Sequence, residues 1–451
     1  MEQDIDLVSR VIPKPKLIFK DSTTYPTPFG ILQFGPNIPI DNPVTFDIWT
    51  INELFNSSDE AKMAMDTWER VLASNLSFRF GTKLKSFKEL LGNSYVITNK
   101  RYISVKNLSN EISKCDSHLI FIIHKGEMPG DSYVQSKIAA KFSHRRLQFL
   151  DLNHIYGGDP FTTLNIFVQS LAKCGGTPWL VENSNPSSFF GKDSLIIGNA
   201  FSTLKGKTTY SVSHFLDIMN LRQIMKIQAT TLRKDDFRGL HLTSEEMKLL
   251  LQQSVDWYLE RNSRTKELNL FLYRSTPLHP DEESAINEMI GKDTHKEYTL
   301  NVTHLHLSKN KPLMRLYDSE NYGLSPRFQN MGKQGQVIEM LSKETPQSDK
   351  LKFMGFIVIL TTGLEHNDYS QTPRGPIGTP VPLTLEVHSN ASFDPVYIEN
   401  QVMAMTSADW EYMGRQYNEP FILKYAYKLA RYLIIWGRDG FPQEWDVRDV
   451  M

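Results

Sequence analysis

Between residues 117 and 178 the chain follows a grammar that restricts its fold more than any other stretch does. "HLIFIIHKG" (118–126) is a short unbroken apolar run, as expected of a strand covered on both faces. Gly130-Asp131-Ser132 then supplies an N-cap for a helix over about 133–142. "LQFLDLNHI" (147–155) reads as a second strand. A second helix over about 160–173 stops at Gly175-Gly176, with Pro178 just beyond. Strand, helix, strand, helix in that order predicts a small parallel-sheet domain.

After Trp179 the pattern changes. "SLIIGNAFS" (194–202) and "KTTYSVSHF" (207–215) read as neighbouring strands, and Thr243 with Glu246 forms a capping box opening the helix "SEEMKLLLQQSVDWYLERN". A strand "ELNLFLYR" (267–274), a helix over 281–290 and a strand "YTLNVTHLHL" follow. Strands near 353–361 and 381–388 and helices near 396–409 and 420–436 close the chain. This is the pattern of an α/β or α+β domain with a mixed sheet. Residues 1–40 read as extended, Pro-rich chain with a turn at "QFGPNIPID", and 41–116 give no clear assignment. At 451 residues the chain exceeds one ordinary core, so two or three domains are expected.

Composition excludes several classes. Two cysteines, Cys115 and Cys174, are too few for a disulfide framework and point to a reducing cytoplasm. No apolar run reaches the roughly 18–20 residues of a membrane span, and "MEQDIDLVSR" lacks the apolar core of a secretory signal. With a net charge of −1, any contact with nucleic acid must come from a local patch.

One such patch exists. "YVQSKIAAKFSHRRLQ" (133–148) holds two lysines, two arginines and a histidine and no carboxylate. Tyr133, Lys137 and Lys141 share a helical face, and Arg145 continues the series if the helix lasts. Val134, Ile138 and Phe142 repeat that spacing on the adjacent face and are expected to bury it. Like charges four apart repel, so an anion is expected between them; a solvated basic face is the plain alternative. An aromatic at the head of the cations suggests a base stacked beside a phosphate, as at single-stranded ends.

Here the sequence resembles the prokaryotic Argonautes, whose MID domain holds a guide's 5′ end with Tyr-x-x-x-Lys, a later Gln, and a Lys before Gly-Gly. This chain has Tyr133-x-x-x-Lys137, Gln148, and Lys173 in "LAKCGGTPW" (171–179). "FGILQFGPN" (29–37), "GTPVPLTLEV" (378–387) and "PFILKYAYKLA" (420–430) are similar to other family segments. The resemblance implies an α/β fold: residues 1–40 packing on PIWI, a Rossmann-like MID domain over 41–178, and a ribonuclease H-like PIWI domain over 179–451. It implies that Tyr133 stacks on the first guide base while Lys137, Gln148 and Lys173 hold the 5′-phosphate, with Lys141, Arg145 and Arg146 near the backbone. It further implies a structural Mg²⁺ shared by guide phosphates, Gln148 and the terminal carboxylate of Met451.

Slicing relatives bind two metals with Asp and Glu side chains in PIWI. Where that family reads Ile-Gly-x-Asp-x-Ser, this chain reads Ile197-Gly198-Asn199-Ala200-Phe201-Ser202; Ser275 follows Arg274 at the second position, and the last falls near Tyr427. Methyl, hydroxyl and phenol cannot replace carboxylates around dications, so no catalytic residue is expected. The counter-reading relocates the site to Asp193, Asp281, Glu282 and Glu283, although the last three begin a helix, where acidic residues complement the dipole. His304 and His306 lack a carboxylate or cysteine at ligand spacing and read as sheet histidines. The resemblance is therefore to a short, non-cleaving Argonaute. It implies a small guide RNA, a complementary DNA target, and a separate effector with a PAZ-analogous region (TIR, sirtuin-like, nuclease or membrane type) in defence against plasmids or phage, with oligomerisation on activation. An active guide-directed nuclease and a small-ligand-sensing α/β protein are the alternatives.

Overall fold

The computed structural model describes residues 5–13, 15–40, 42–77, 83–92, 94–157, 160–182, 193–204, 207–215, 225–234, 240–291, 298–308, 336–344, 346, 349–361, 382–411, 419–437 and 439–451. The chain divides into two compact units. One comprises Lys16–Glu182, Trp410–Gly414 and Tyr432–Met451; the other comprises Met1–Pro15, Asn183–Asp409 and Arg415–Arg431. Residues 16–40 thus group with the parallel-sheet unit, and so does the stretch from Tyr432 onward.

The first unit is built on four parallel strands in the order Tyr95–Ile103, Val44–Ile51, Leu119–His124, Arg146–Asp151. In chain order this is 2-1-3-4, a doubly wound arrangement. The central strand "VTFDIWTI" comes from the stretch that gave no assignment, because Asp47 interrupts its apolar run. Asp47 is 1% exposed, yet it is satisfied by Trp49 Nε1 at 3.0 Å, Ser117 Oγ at 2.6 Å and Asn99 Nδ2 at 3.2 Å. A buried carboxylate is tolerated only with such partners. Trp49, Ile120, Ile122 and Leu147 pack with Leu108 and Ile112. Phe121 meets Trp68, and Trp68 and Phe87 both meet Phe167.

Three local expectations are corrected here. The helix Gly130–Phe142 starts at Pro129, whose carbonyl accepts from Tyr133 N at 3.0 Å, so Gly130-Asp131-Ser132 form its first turn rather than its cap. It ends at Ser143 because His144 takes φ 57° and Arg145 N closes on Ala140 O at 2.8 Å. Arg145 therefore leaves the helical face, and Phe142, expected to be buried, is 60% exposed. The strand in "LQFLDLNHI" stops at Asp151, whose carboxylate accepts from Asn153 N at 2.8 Å and caps the helix Leu152–Tyr156. The helix Pro160–Lys173 ends as its glycines require: Gly175 has φ 99°, and Gly175 and Gly176 N–H groups return to Ala172 and Leu171 carbonyls.

In the second unit, strands lie in the order Ile5–Val11, Gln336–Ser342, Lys352–Ile359, Leu383–Ser389, Thr299–Ser308, Glu267–Arg274, Ser194–Leu204, Lys207–Phe215, Met225–Lys234. Ser194–Leu204, Glu267–Arg274 and Thr299–Ser308 are mutually parallel, and the flanking pairs are antiparallel. This is the mixed sheet that the sequence pattern predicted. Alternation divides its faces. Leu195, Ile197 and Phe201 pack with Met247, Leu250 and Leu251 of the helix Ser244–Leu259 and with Ile286 of Pro280–Gly291. The opposite face meets the helix Phe421–Trp436, where a Cβ on Gly198 would come within 2.9 Å of the Ile422 backbone. No described helix is long and apolar enough to cross a membrane.

Candidate nucleic-acid interface

At one end of the parallel sheet, four side chains spread over 41 positions of sequence meet. Lys137 projects from the helix Gly130–Phe142, Gln148 from the last strand, and Lys173 from the final turn of Pro160–Lys173. Lys173 Nζ donates to Gln148 Oε1 at 2.7 Å and Leu147 O at 2.8 Å, and lies 3.4 Å from Met451 O. Lys137 Nζ donates to Met451 O at 3.2 Å and lies 5.8 Å from the centroid of the Tyr133 ring. The ring of Tyr133 packs on Phe149 at 4.6 Å and its hydroxyl approaches that of Tyr432 at 3.4 Å. Burial raises the Tyr133 phenol above its ordinary range, so it stays neutral.

Lys137 and Lys173 are only 4% and 5% exposed. Taking an ammonium out of water costs several kcal/mol unless oxygens surround it. Here those oxygens come from the sheet edge and from the short helix Val447–Val450, which Asp446 caps. Asp449 in that helix accepts from Lys141 Nζ at 3.0 Å and pairs with Arg146. The pocket is therefore a cationic cradle that already grips the anionic and carbonyl oxygens of a chain segment.

Arg145 is directed elsewhere. Its Nε donates to Cys115 O at 2.7 Å and its guanidinium faces Asp116, so the cradle is completed by Lys141 and Arg146 without it. Sequence reasoning missed Asp449, Phe149 and Tyr432, each in contact with a pocket residue. The capping pattern Asp446-Val447-Arg448-Asp449 marks a helix, but nothing in it tells where that helix docks. The oxygens present suit a hard cation: Gln148 Oε1, Met451 O, and the buried Asp449 Oδ1, which sits against Arg146 without a well-formed hydrogen bond.

In the mixed sheet, Ala200 is 2% exposed on the face toward Phe421–Trp436, Ser275 is exposed just past Arg274, and Tyr427 is half-exposed on that helix. Of the alternative carboxylates, Asp193 accepts from Tyr258 Oη at 3.3 Å, and Glu282 is held wholly buried by two bonds of 2.8 Å from Arg274. His304 and His306 lie in a sheet strand as read, and strand pairing sets Glu386 opposite His306 and His388 opposite His304. Glu386 lies 3.5 Å from His306 Nδ1 and 2.8 Å from His388 Nε2, a carboxylate partner that the linear spacing hid.

A doubly wound parallel sheet with this lysine cradle, and a mixed sheet of ribonuclease H-like order, define an Argonaute-like MID–PIWI fold. A solved structure of Clostridium butyricum Argonaute, bound to a guide DNA with a 5′ deoxycytidine and a 19-mer target DNA, is similar at TM-score 0.67 and 14% identity. The similarity covers 96% of this chain and 54% of that one, so the present chain spans about half the length of that protein. No family model and no curated protein matches the sequence.

Proposed function

We propose that the chain binds a short guide strand by its 5′ end and uses it to recognise a complementary nucleic acid, without cutting it. The observation that carries this is the convergence of Tyr133, Lys137, Gln148 and Lys173 at one sheet end of an Argonaute-like fold. A terminal phosphate carries nearly two charges, which two buried ammoniums offset while the Gln148 amide donates as a neutral partner. Tyr133 supplies a ring for the first base, and Lys141 and Arg146, now paired with Asp449, would exchange that carboxylate for the following phosphate. Base pairing then reads the target, and the protein senses only duplex shape.

A Mg²⁺ ion at this pocket would be held by Gln148 and the Met451 oxygen and would neutralise guide phosphate charge. Ala200, Ser275 and Tyr427 at the ligand positions support a reading in which PIWI does not cleave. Output would then come from a separate effector, with a guide of RNA and a target of DNA as the pairing favoured by the resemblance to short Argonautes.

The test compares 5′-phosphorylated with 5′-hydroxyl guides, RNA and DNA, on the wild type and on Lys137→Ala with Lys173→Ala. The wild type is expected to prefer the phosphate and the double variant to lose that preference, by about tenfold or more. Equal discrimination by both proteins refutes the assignment. Identifying the nucleic acid and protein chains that copurify tests the guide chemistry and the effector separately.

A further inference from the structure

Remote from the guide pocket in sequence, and wholly within the mixed-sheet unit, His241, His279 and Asp281 come together. The two imidazoles stack with ring centroids 3.8 Å apart and planes 13° from parallel. One ligand atom from each of the three side chains lies within 4.8 Å of the other two. Asp281 N donates to His279 Nδ1 at 3.3 Å, so that nitrogen is the unprotonated one, and a metal ion binding there would displace this bond.

The frame behind these side chains is what turns proximity into a site. Glu282, wholly buried, accepts from the backbone N–H of Leu242 at 2.5 Å and of His279 at 2.8 Å. Arg274 clamps the same carboxylate with two bonds of 2.8 Å. One carboxylate thus fixes the main chain beside both histidines, and Pro280 with Asp281 opens the helix Pro280–Gly291 directly after them. A pinned main chain holds the three donors close together, which is one requirement of a metal site. Two imidazoles and one carboxylate are the donor set taken by first-row transition metals in open, three-ligand sites, with water completing the shell. Parallel ring planes cannot both contain one metal, so binding requires the partly exposed rings to turn while the pinned backbone stays in place.

We propose that His241, His279 and Asp281 bind one divalent first-row transition metal ion such as Zn²⁺, stapling the segment before the helix Ser244–Leu259 to the start of Pro280–Gly291. The reading is independent of guide binding and of the lost carboxylate positions.

The experiment uses the full chain without a polyhistidine tag, stripped with chelator and titrated with Zn²⁺ alone by calorimetry and with Co²⁺ alone by visible absorption. One saturable ion per chain is expected, with a higher thermal midpoint in its presence. His241→Asn and Asp281→Asn, both at partly or fully exposed positions, should weaken binding by about tenfold or more while leaving the metal-free circular dichroism unchanged. A wild type that takes up no ion, or binding that both variants leave unaltered, overturns the proposal.

Discussion

Lys137 and Lys173 show how a residue's role depends on what is forced upon it. Neither would be buried for packing alone, and each is held by oxygens of the chain itself, which the proposed function would exchange for those of a phosphate. Asp449 sharpens the point, since it occupies Lys141 and Arg146 from a helix about three hundred positions away. If it competes with guide phosphates for those cations, Asp449→Asn should tighten binding of 5′-phosphorylated guides several-fold, measured by fluorescence anisotropy at fixed salt. Weaker binding in the variant would instead mean that Asp449 helps to hold the guide end, through a shared cation. Helical spacing made Tyr133, Lys137 and Lys141 legible as one face, whereas Gln148 and Lys173 joined them only through the resemblance to the Argonaute motif. Asp449 was not legible, because docking of a tail leaves no mark on the tail's own pattern.

At the scale of elements, the buried Arg274–Glu282 pair ties strand Glu267–Arg274 to helix Pro280–Gly291 and to the loop ahead of Ser244–Leu259. Removing one partner strands a buried charge, so Glu282→Ala should cost about 3–5 kcal/mol in urea unfolding. Glu282→Leu with Arg274→Met should recover part of that loss, because it removes both charges together. A second device joins the edge strand Ile5–Val11 to Pro395–Ser407: Arg10 faces both Glu339 and Glu399. Burial pushes the Glu399 carboxyl up to about 7 despite the bonds from Arg10, with Glu339 adding to the rise. The ordinary value is 4.5, so between the two the folded chain holds a proton that the unfolded chain has released. Stability from this group is therefore complete below about 4.5 and falls as pH rises toward about 7, then levels off. Glu399→Gln should flatten that slope in urea midpoints taken across the window; an unchanged slope would assign it to other groups.

For the molecule as a whole, the proposed function rests on electrostatics that overall charge conceals. A chain of net charge −1 binds nucleic acid only where cations cluster, so guide affinity should fall with salt and the slope should shrink by about 0.7 per pocket lysine removed. Incubating guide, complementary target and Mg²⁺ or Mn²⁺ should yield no cleavage products, and discrete cleavage opposite the guide would restore the nuclease reading.

The amino-acid sequence determined the strand and helix types where local period dominates. The capping box at Thr243–Glu246, the strand Lys207–Phe215 and the stop at Gly175-Gly176 are local in cause. The tertiary structure alone decided the rest. It made "VTFDIWTI" a central strand by satisfying Asp47 from Trp49, Asn99 and Ser117, and it set Glu386 between His306 and His388 across paired strands. It also brought Asp449 onto the cationic cradle. The physical reason is the same each time: a polar group's partner is chosen by burial and strand register, which link positions far apart in the chain, whereas backbone period and caps act within a few residues.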